Sequence, residues 1–260
     1  MNIIVPLDFS ENSINAAHFT SRMLTGNYGA ILYLFHTYAK EKEASEAASQ
    51  LEALKKKLME DSIVKIEVVL EQSDDFIESL ERRVRHLDAD LVVMSIREKS
   101  KLEQAIDNSN SLRMIEKNLC PIMVVPHNFQ FNEIRNVALA SDFKDVANSI
   151  PIVPVKRVLS LFQPNLHIVN INSEIYVSLN EEYLAERGVM QNMFKEFNPE
   201  FYFITTYDFH ETLRQFIDDK NIDLVLTFPR KHSFISNMIK GNNTKKLVME
   251  SAIPVLAAHS

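Results

Sequence analysis

Runs of apolar residues alternate with amphipathic stretches along the whole chain. The amphipathic stretches have helical spacing: Leu51, Leu54 and Leu58 fall at i, i+3 and i+7 on an otherwise charged segment. Continuous apolar strands that alternate with helices are typical of a parallel sheet covered on both faces. Right-handed crossovers then make the sheet doubly wound. The pattern therefore predicts an α/β fold.

The pattern predicts five strands and four helices in each half. In the first half the predicted strands are Asn2–Leu7, Ala30–His36, Val64–Leu70, Leu91–Ser95 and Ile122–Val125, and the helices are Glu11–Thr25, Glu41–Glu60, Asp74–Leu87 and Ser109–Leu119. In the second half the strands are Asn136–Ser141, Leu166–Ile171, Glu200–Thr205, Leu224–Phe228 and Pro254–Ala258, and the helices are Pro154–Leu161, Glu181–Phe197, Asp208–Asn221 and Thr244–Ser251.

The two halves repeat one sequence pattern at an offset of 133 or 134 residues. Three pairs of segments match in the same order: Asn2–Phe9 with Asn136–Phe143, Asp88–Met94 with Asn221–Thr227, and Cys120–Val125 with Ile253–Ala258. Three matches in register indicate a tandem duplication. We therefore predict two domains, 1–129 and 134–260, joined by a short linker.

Ligands of doubly wound sheets bind beyond the carboxyl ends of the strands, where the strand order reverses. In the first half that place lies near Asp8 and Ser95, and in the second near Asp142 and Phe228. An acid at the end of a first strand can hydrogen-bond a base or a ribose. It can equally cap the following helix, because aspartate favours N-caps. Both explanations stay open for the two aspartates.

The opening of the chain carries a resemblance to a known family. Ile3–Ser13 reads IIVPLDFSENS and resembles the start of a universal stress protein, and Asp90–Met94 with Cys120–Pro126 resembles that family's close. The second half resembles the family more loosely. The resemblance implies two tandem doubly wound parallel five-stranded sheets, flavodoxin-like and adenine-nucleotide-hydrolase-like. It also implies a pseudo-two-fold intramolecular pairing of the two domains, in which strands 122–125 and 255–258 meet.

Nucleotide-binding members of this family hold phosphates with a loop of the form G-x2-G-x9-G-[ST] after the fourth strand. In the first half the corresponding places fall on Ser95, Glu98, Asn108 and Ser109, and in the second on Phe228, Lys231, Gly241 and Asn242. Glycine matters because a Cβ blocks the close approach of backbone N–H groups to a phosphate. The chain has only four glycines, and one of them lies at these places. We therefore predict that the nucleotide sites have decayed.

The family's base-pocket positions are split between the halves. The resemblance places them at Pro6, Asp8 and Thr37 in the first half, and at Asp142 and Ile171 in the second. The alternative prediction is a second-half cleft that binds ATP, another adenine nucleotide or a small anion. Its residues would be Asp142, Lys231, Gly241 and Asn242, where lysine replaces glycine as a phosphate partner. A further hypothesis is that Phe228 and Phe234 fill this cleft instead.

Composition narrows the classes of function. The net charge is −7 and the isoelectric point is near 5.7, which disfavours nucleic acid as a partner. No apolar run is long enough to cross a membrane, and the N-terminus lacks the basic start of a signal peptide. The lone cysteine, Cys120, fits a reducing cytoplasm and is interpreted as a buried small hydrophobe. No histidine spacing supports a metal site, and no nucleophile elbow or Walker loop occurs.

Taken with the resemblance, these features predict a cytoplasmic universal stress protein that is not an enzyme. With decayed nucleotide sites, the fold would serve as a scaffold that acts through unknown protein partners in a stress response. The intramolecular pairing needs no second chain, and a homodimer of the two-domain chain stays open.

Overall fold

The computed structural model describes residues 1–96, 109–172, 181–205, 208–228, 247–248 and 251–258. The chain divides into two compact units, Met1–Asn132 and Glu133–Ser260. Each unit is an α/β structure with parallel strands, as the alternation of apolar and amphipathic stretches predicts.

The first unit alternates strands and helices. Its elements are β1 (Asn2–Pro6), α1 (Glu11–Met23), β2 (Ile31–Tyr38), α2 (Ala44–Asp61), β3 (Lys65–Gln72), α3 (Phe76–His86), β4 (Leu91–Ser95), α4 (Asn110–Lys117) and β5 (Ile122–Val125). The strands pair in parallel in the order β3-β2-β1-β4-β5. The order reverses between β1 and β4, so the sheet is doubly wound with its switch point beside β1.

The second unit has the same topology. Its elements are β6 (Asn136–Ala140), α5 (Val146–Ser149), α6 (Ile152–Leu159), β7 (Asn165–Asn172), α7 (Glu181–Met193), β8 (Glu200–Thr205), α8 (Phe209–Asp219), β9 (Leu224–Thr227) and β10 (Val255–Ala257). The strand order is β10-β9-β6-β7-β8, again parallel. Its switch point therefore lies between β6 and β9.

The core of each unit lies on the two faces of its central strands. In the first unit Ile3, Ile4 and Val5 of β1 are fully buried, and β5 is buried over its whole length. The stripe predicted on α2 is confirmed, because Leu51, Leu54 and Leu58 are among its buried residues. Strands buried on both faces read as continuous apolar runs, which explains why the sequence shows them so clearly.

The helix predicted at Pro154–Leu161 begins at an earlier residue than predicted. The structure has two short helices there, Val146–Ser149 and Ile152–Leu159, so Pro154 is the third residue of the second one. Proline is tolerated in a first turn because the N–H groups of that turn have no intrahelical acceptor. The proline therefore marks the first turn of α6 and not its first residue.

One hydrogen-bonded pair recurs at the amino edge of both sheets. The Asp90 carboxylate accepts a hydrogen bond from the Asn2 backbone N–H at 2.8 Å, and the Asp90 N–H donates to the Asn2 carbonyl at 2.8 Å. Asp223 and Asn136 make the same two bonds, both at 2.9 Å. Each pair fastens the start of the fourth strand to the start of the first. This accounts for two of the residues that the repeat preserves.

We expect Asp90→Ala and Asp223→Ala each to lower the free energy of unfolding by about 1–3 kcal/mol, because each leaves a strand-start N–H without its acceptor. Asp223→Ala should cost more, since its carboxylate also accepts from the Arg135 N–H at 2.8 Å. Urea unfolding followed by circular dichroism measures both. Asp74→Ala, at an exposed aspartate, is the matched control. Equal stability of all three variants would contradict the role of the pair.

Candidate functional site

An open cavity of about 480 Å³ lies at the carboxyl edge of the first unit's sheet. This volume is within the range of small-molecule sites, about 300–1,000 Å³. The lining comes from the ends of β1, β2 and β4 and from the first turns of α1, α3 and α4. These residues are Pro6, Leu7, Asp8, Ser10, Ser13, His36, Thr37, Phe76, Met94, Ser95, Ile96, Ser109, Asn110 and Ser111. The cavity therefore occupies the switch point that the sequence predicted for a ligand.

Pro6 removes one ladder hydrogen bond between β1 and β4. The Leu7 N–H still donates to the Phe35 carbonyl of β2 at 2.8 Å, so β1 stays attached on that side. Backbone groups alternate between the two neighbours of a strand, so Pro6 faces β4, where a proline has no N–H to donate. The last registered pair between β1 and β4 is Ile4 with Val92.

The second unit provides the comparison without a proline. Ala140 stands at the position of Pro6, and β6 pairs with β9 for one residue pair further, up to Leu139 with Leu226. The extra pair is the one that needs an N–H at the position of Pro6. Proline in place of alanine at the end of the first strand therefore accounts for this difference in pairing.

Asp8 lies exposed at the rim of the cavity and does not cap α1. Its Oδ1 accepts hydrogen bonds from the Ser10 N–H at 3.0 Å and from the Ser10 hydroxyl. The N-cap is Ser10, whose Oγ accepts from the Ser13 N–H at 3.3 Å. The cap explanation for Asp8 is therefore wrong, and its carboxylate is held in place by the residue that does cap the helix.

Asp142 is not a helix cap either. Its Oδ1 accepts from the Lys144 N–H at 3.2 Å, and the N-cap position of α5 is occupied by Asp145. A side chain of α7 binds the α5 N-terminus instead, because the Val146 N–H donates to the Glu186 carboxylate at 2.8 Å. Asp142 is partly buried in this turn.

The phenylalanine after each of these aspartates has left-handed backbone geometry. Phe9 has φ of 58° and Phe143 has φ of 52°. This conformation is unfavourable for a residue with a Cβ, by roughly 1–3 kcal/mol, and persists only where packing enforces it. The Phe9 ring lies 4.6 Å from that of His36, and the Phe143 ring 5.0 Å from that of Tyr183. The repeated Asp-Phe pair therefore encodes one turn, used twice.

His36 is a cavity residue that the sequence did not single out. Its Nδ1 lies 2.7 Å from the Leu7 carbonyl oxygen, so the β2 side chain reaches across the end of β1. Asn170, at the same place in the second unit, donates from Nδ2 to the Ser141 carbonyl at 2.8 Å. The sequence offered one signal, since the offset of the repeat aligns these two residues. The spacing of the eight histidines gives no reason to single out His36.

Thr37 lies within β2, beyond the strand end predicted at His36, and Ile171 lies within β7, as predicted. β2 continues to Tyr38 and β7 to Asn172, because β3 and β8 pair with them beyond the ends of β1 and β6. Thr37 lines the cavity, as the resemblance implies. Ile171 is only 2% exposed and belongs to the core. The residue to which the resemblance assigns the base side of the second unit is thus packed in the core.

Hydroxyl groups gather on the side of the cavity that α4 lines. Ser109 caps α4, with Oγ accepting from the Leu112 N–H at 3.2 Å. The Ser111 hydroxyl donates to the Ser95 carbonyl at 3.1 Å. Ser109 is therefore the N-cap of α4. Helix N-termini attract anions, and those of α1 and α4 both contribute to the lining. Glu98 and Asn108 lie outside the described residues.

Most of the predicted second-unit site lies outside the described residues. This holds for Lys231, Gly241, Asn242 and Phe234, so the predicted anion cleft stays a prediction. Phe228, at the first glycine position, is described and is 4% exposed.

Three further features bear on chemistry. Burial raises the pKa of the Cys120 thiol to about 12, so the thiol stays protonated at neutral pH. Across the described ranges, no three histidine, cysteine, aspartate or glutamate side chains are grouped to hold a metal ion. Within the same ranges no helix is both long and apolar enough to span a bilayer.

Comparison with known proteins agrees with the fold. Residues 1–126 match the model of the universal stress protein family. A universal stress protein from Archaeoglobus fulgidus DSM 4304 superposes with a TM-score of 0.71 at 16% identity, over 99% of this chain and 96% of that one. Two proteins from Pseudomonas aeruginosa give TM-scores of 0.65 and 0.64 at 11% and 12% identity, over 99% of this chain and 92% of each of those. No curated protein sequence matches the chain.

We expect Ser10→Ala to lower the free energy of unfolding by about 1 kcal/mol, because it removes the α1 cap. Asp8→Asn should change stability by less than about 0.5 kcal/mol, since the amide oxygen can still accept from Ser10. Urea unfolding of both variants beside the wild type measures the difference. If Asp8→Asn were as destabilising as Ser10→Ala, the carboxylate of Asp8 would be part of the cap after all.

Proposed function

Since the chain belongs to the universal stress protein family through residues 1–126, we propose that it is a non-catalytic stress-response protein whose first unit binds an adenine nucleoside or nucleotide. The observation that carries the proposal is the open cavity at the switch point of the first sheet. Pro6, Asp8 and Thr37 line it, and these are the positions that the family resemblance assigns to the base side.

The base side of the cavity suits a planar ring attached to a sugar. Phe76 and Met94 supply apolar surface, and Asp8 and Thr37 supply a few polar groups. Such a mixture is typical of small-molecule sites. The Asp8 carboxylate can only accept hydrogen bonds, and the hydroxyls of a ribose or an amino group can donate them. We propose Asp8 as the polar anchor of the ligand.

The phosphate side favours a ligand with little negative charge. Serine hydroxyls and the α4 N-terminus can hold one phosphate. The sequence provides no glycine for a close-fitting loop, and Glu98 would repel a polyphosphate. The described part of the lining carries the Asp8 carboxylate and no lysine or arginine. We therefore propose that adenosine or its monophosphate binds more tightly than ATP.

The second candidate function is a scaffold that binds no nucleotide in either unit. The burial of Ile171 and Phe228 favours it for the second unit, because both stand where the family contacts its ligand. In this case the fold would act through protein partners of unknown identity. Under both candidates we propose a cytoplasmic protein without catalysis of its own.

Two measurements separate the candidates. The first is mass spectrometry of any nucleotide released when protein purified without ligand is denatured. The second is titration calorimetry with adenosine, AMP and ATP. We expect adenosine and AMP to bind with higher affinity than ATP, with one ligand per chain. No released nucleotide and no heat with any of the three would leave the scaffold as the function.

Asp8→Asn and its matched control Asp142→Asn locate the site. We expect Asp8→Asn to weaken adenosine binding about tenfold, because a charge-assisted hydrogen bond becomes a neutral one. Asp142→Asn should leave the affinity unchanged. The opposite result, with loss only in Asp142→Asn, would transfer the site to the second-unit cleft of Asp142, Lys231, Gly241 and Asn242.

A further inference from the structure

We infer that His36 is a specificity-determining residue of the first-unit cavity, and that its Nε2 accepts a hydrogen bond from the 6-amino group of a bound adenine. This inference rests on the proposed function and names what selects the base. Three observations carry it: the fixed tautomer of the ring, its comparison with Asn170, and the packing of Phe9 against it.

The backbone contact fixes which nitrogen of His36 carries the hydrogen. Nδ1 lies 2.7 Å from the Leu7 carbonyl oxygen, and a carbonyl oxygen can only accept. Nδ1 is therefore the donor, and in a neutral imidazole Nε2 is then an acceptor. Within the described part of the chain, this contact is the one hydrogen bond of the ring. His36 lines the cavity, and in our proposal its Nε2 lies on the ligand side.

The second unit shows that holding the backbone here does not require an imidazole. Asn170 makes the equivalent bond to the Ser141 carbonyl at 2.8 Å and is 4% exposed. The amide thus performs the structural task from within the core. Histidine at 36 performs the same task, remains partly exposed, and retains a second nitrogen for another partner. The duplication therefore separates the structural role of this position from the role that only histidine can fill.

The acceptor is held in one orientation before any ligand arrives. The Phe9 ring lies 4.6 Å from the imidazole, and the left-handed φ of 58° at Phe9 places it there. A side chain that is bonded at one end and packed along one face loses little further freedom on binding. An acceptor held in this way discriminates between ligands better than a mobile one.

The neighbouring residues identify the chemistry of the ligand group. His36 lines the same cavity as Thr37, which is on the base side of the proposed site. Adenine offers an amino group at carbon 6, which donates hydrogen bonds, whereas hypoxanthine offers an oxygen there, which accepts them. A fixed acceptor on the protein therefore favours adenine and rejects hypoxanthine, because two acceptors facing each other leave both without a donor.

The experiment compares adenosine with inosine by titration calorimetry. The wild type should bind adenosine about fivefold to tenfold more tightly than inosine, which is the effect of one hydrogen bond. His36→Asn should retain the bond to Leu7, as Asn170 does in the second unit, and should keep the thermal midpoint of the wild type. The adenosine affinity should fall until the two ligands bind alike. His18→Asn, the same substitution at a partly buried histidine of α1, should retain the preference.

Two results would overturn the inference, and they are distinguishable. If the wild type binds both nucleosides equally, or His36→Asn keeps the full preference for adenosine, His36 does not select the base although the cavity binds a nucleoside. If the wild type binds neither nucleoside and no nucleotide, the proposed function fails and the inference fails with it.

Discussion

The reversal of strand order beside β1 is the constraint on which the first unit's site depends. Open α/β sheets bind their ligands in the crevice outside the carboxyl ends of the strands at such a switch point. At Pro6 the bond to β2 continues through Leu7, while the missing N–H of the proline removes one ladder bond to β4. The cavity lies at this crevice. The turn that follows then places Asp8 at its rim.

The duplication shows which features of the sequence maintain the fold and which shape the site. Both units keep the aspartate that fastens the fourth strand to the first, and both keep the left-handed phenylalanine after the first strand. The positions that face the cavity have diverged. Pro6, His36 and Thr37 of the first unit correspond to alanine, asparagine and isoleucine in the second. These three differences change the shape and chemistry of the carboxyl edge, while the two shared features maintain the sheet and the turn.

The alternation of strands and helices and the doubly wound fold class could be predicted from the sequence, because buried parallel strands are continuous apolar runs. The end of a strand could not be predicted where it depends on pairing with a strand that is distant in sequence. Thr37 belongs to β2 only because Glu71 of β3 pairs with it. His36 was missed for the same reason, since its hydrogen bond reaches across to a neighbouring strand. Residue type alone does not identify the N-cap of α1, because aspartate and serine both favour that position. Only the backbone geometry selects Ser10 over Asp8.

Helix α1 is the element that joins the cavity to the end of the first unit. Its first turn supplies Ser10 and Ser13 to the lining. Between them, Asn12 donates to the Ile96 carbonyl at 3.4 Å and contacts His127 through its side-chain oxygen. One turn later Asn15 donates to the Phe129 carbonyl at 2.9 Å. A ligand changes a protein only as far as it binds one arrangement better than another. In the first unit, a ligand that orders the turn at Ser10 acts on the same helix that holds residues 127–129. Helix α1 therefore connects the lining of the cavity directly to residues 127–129.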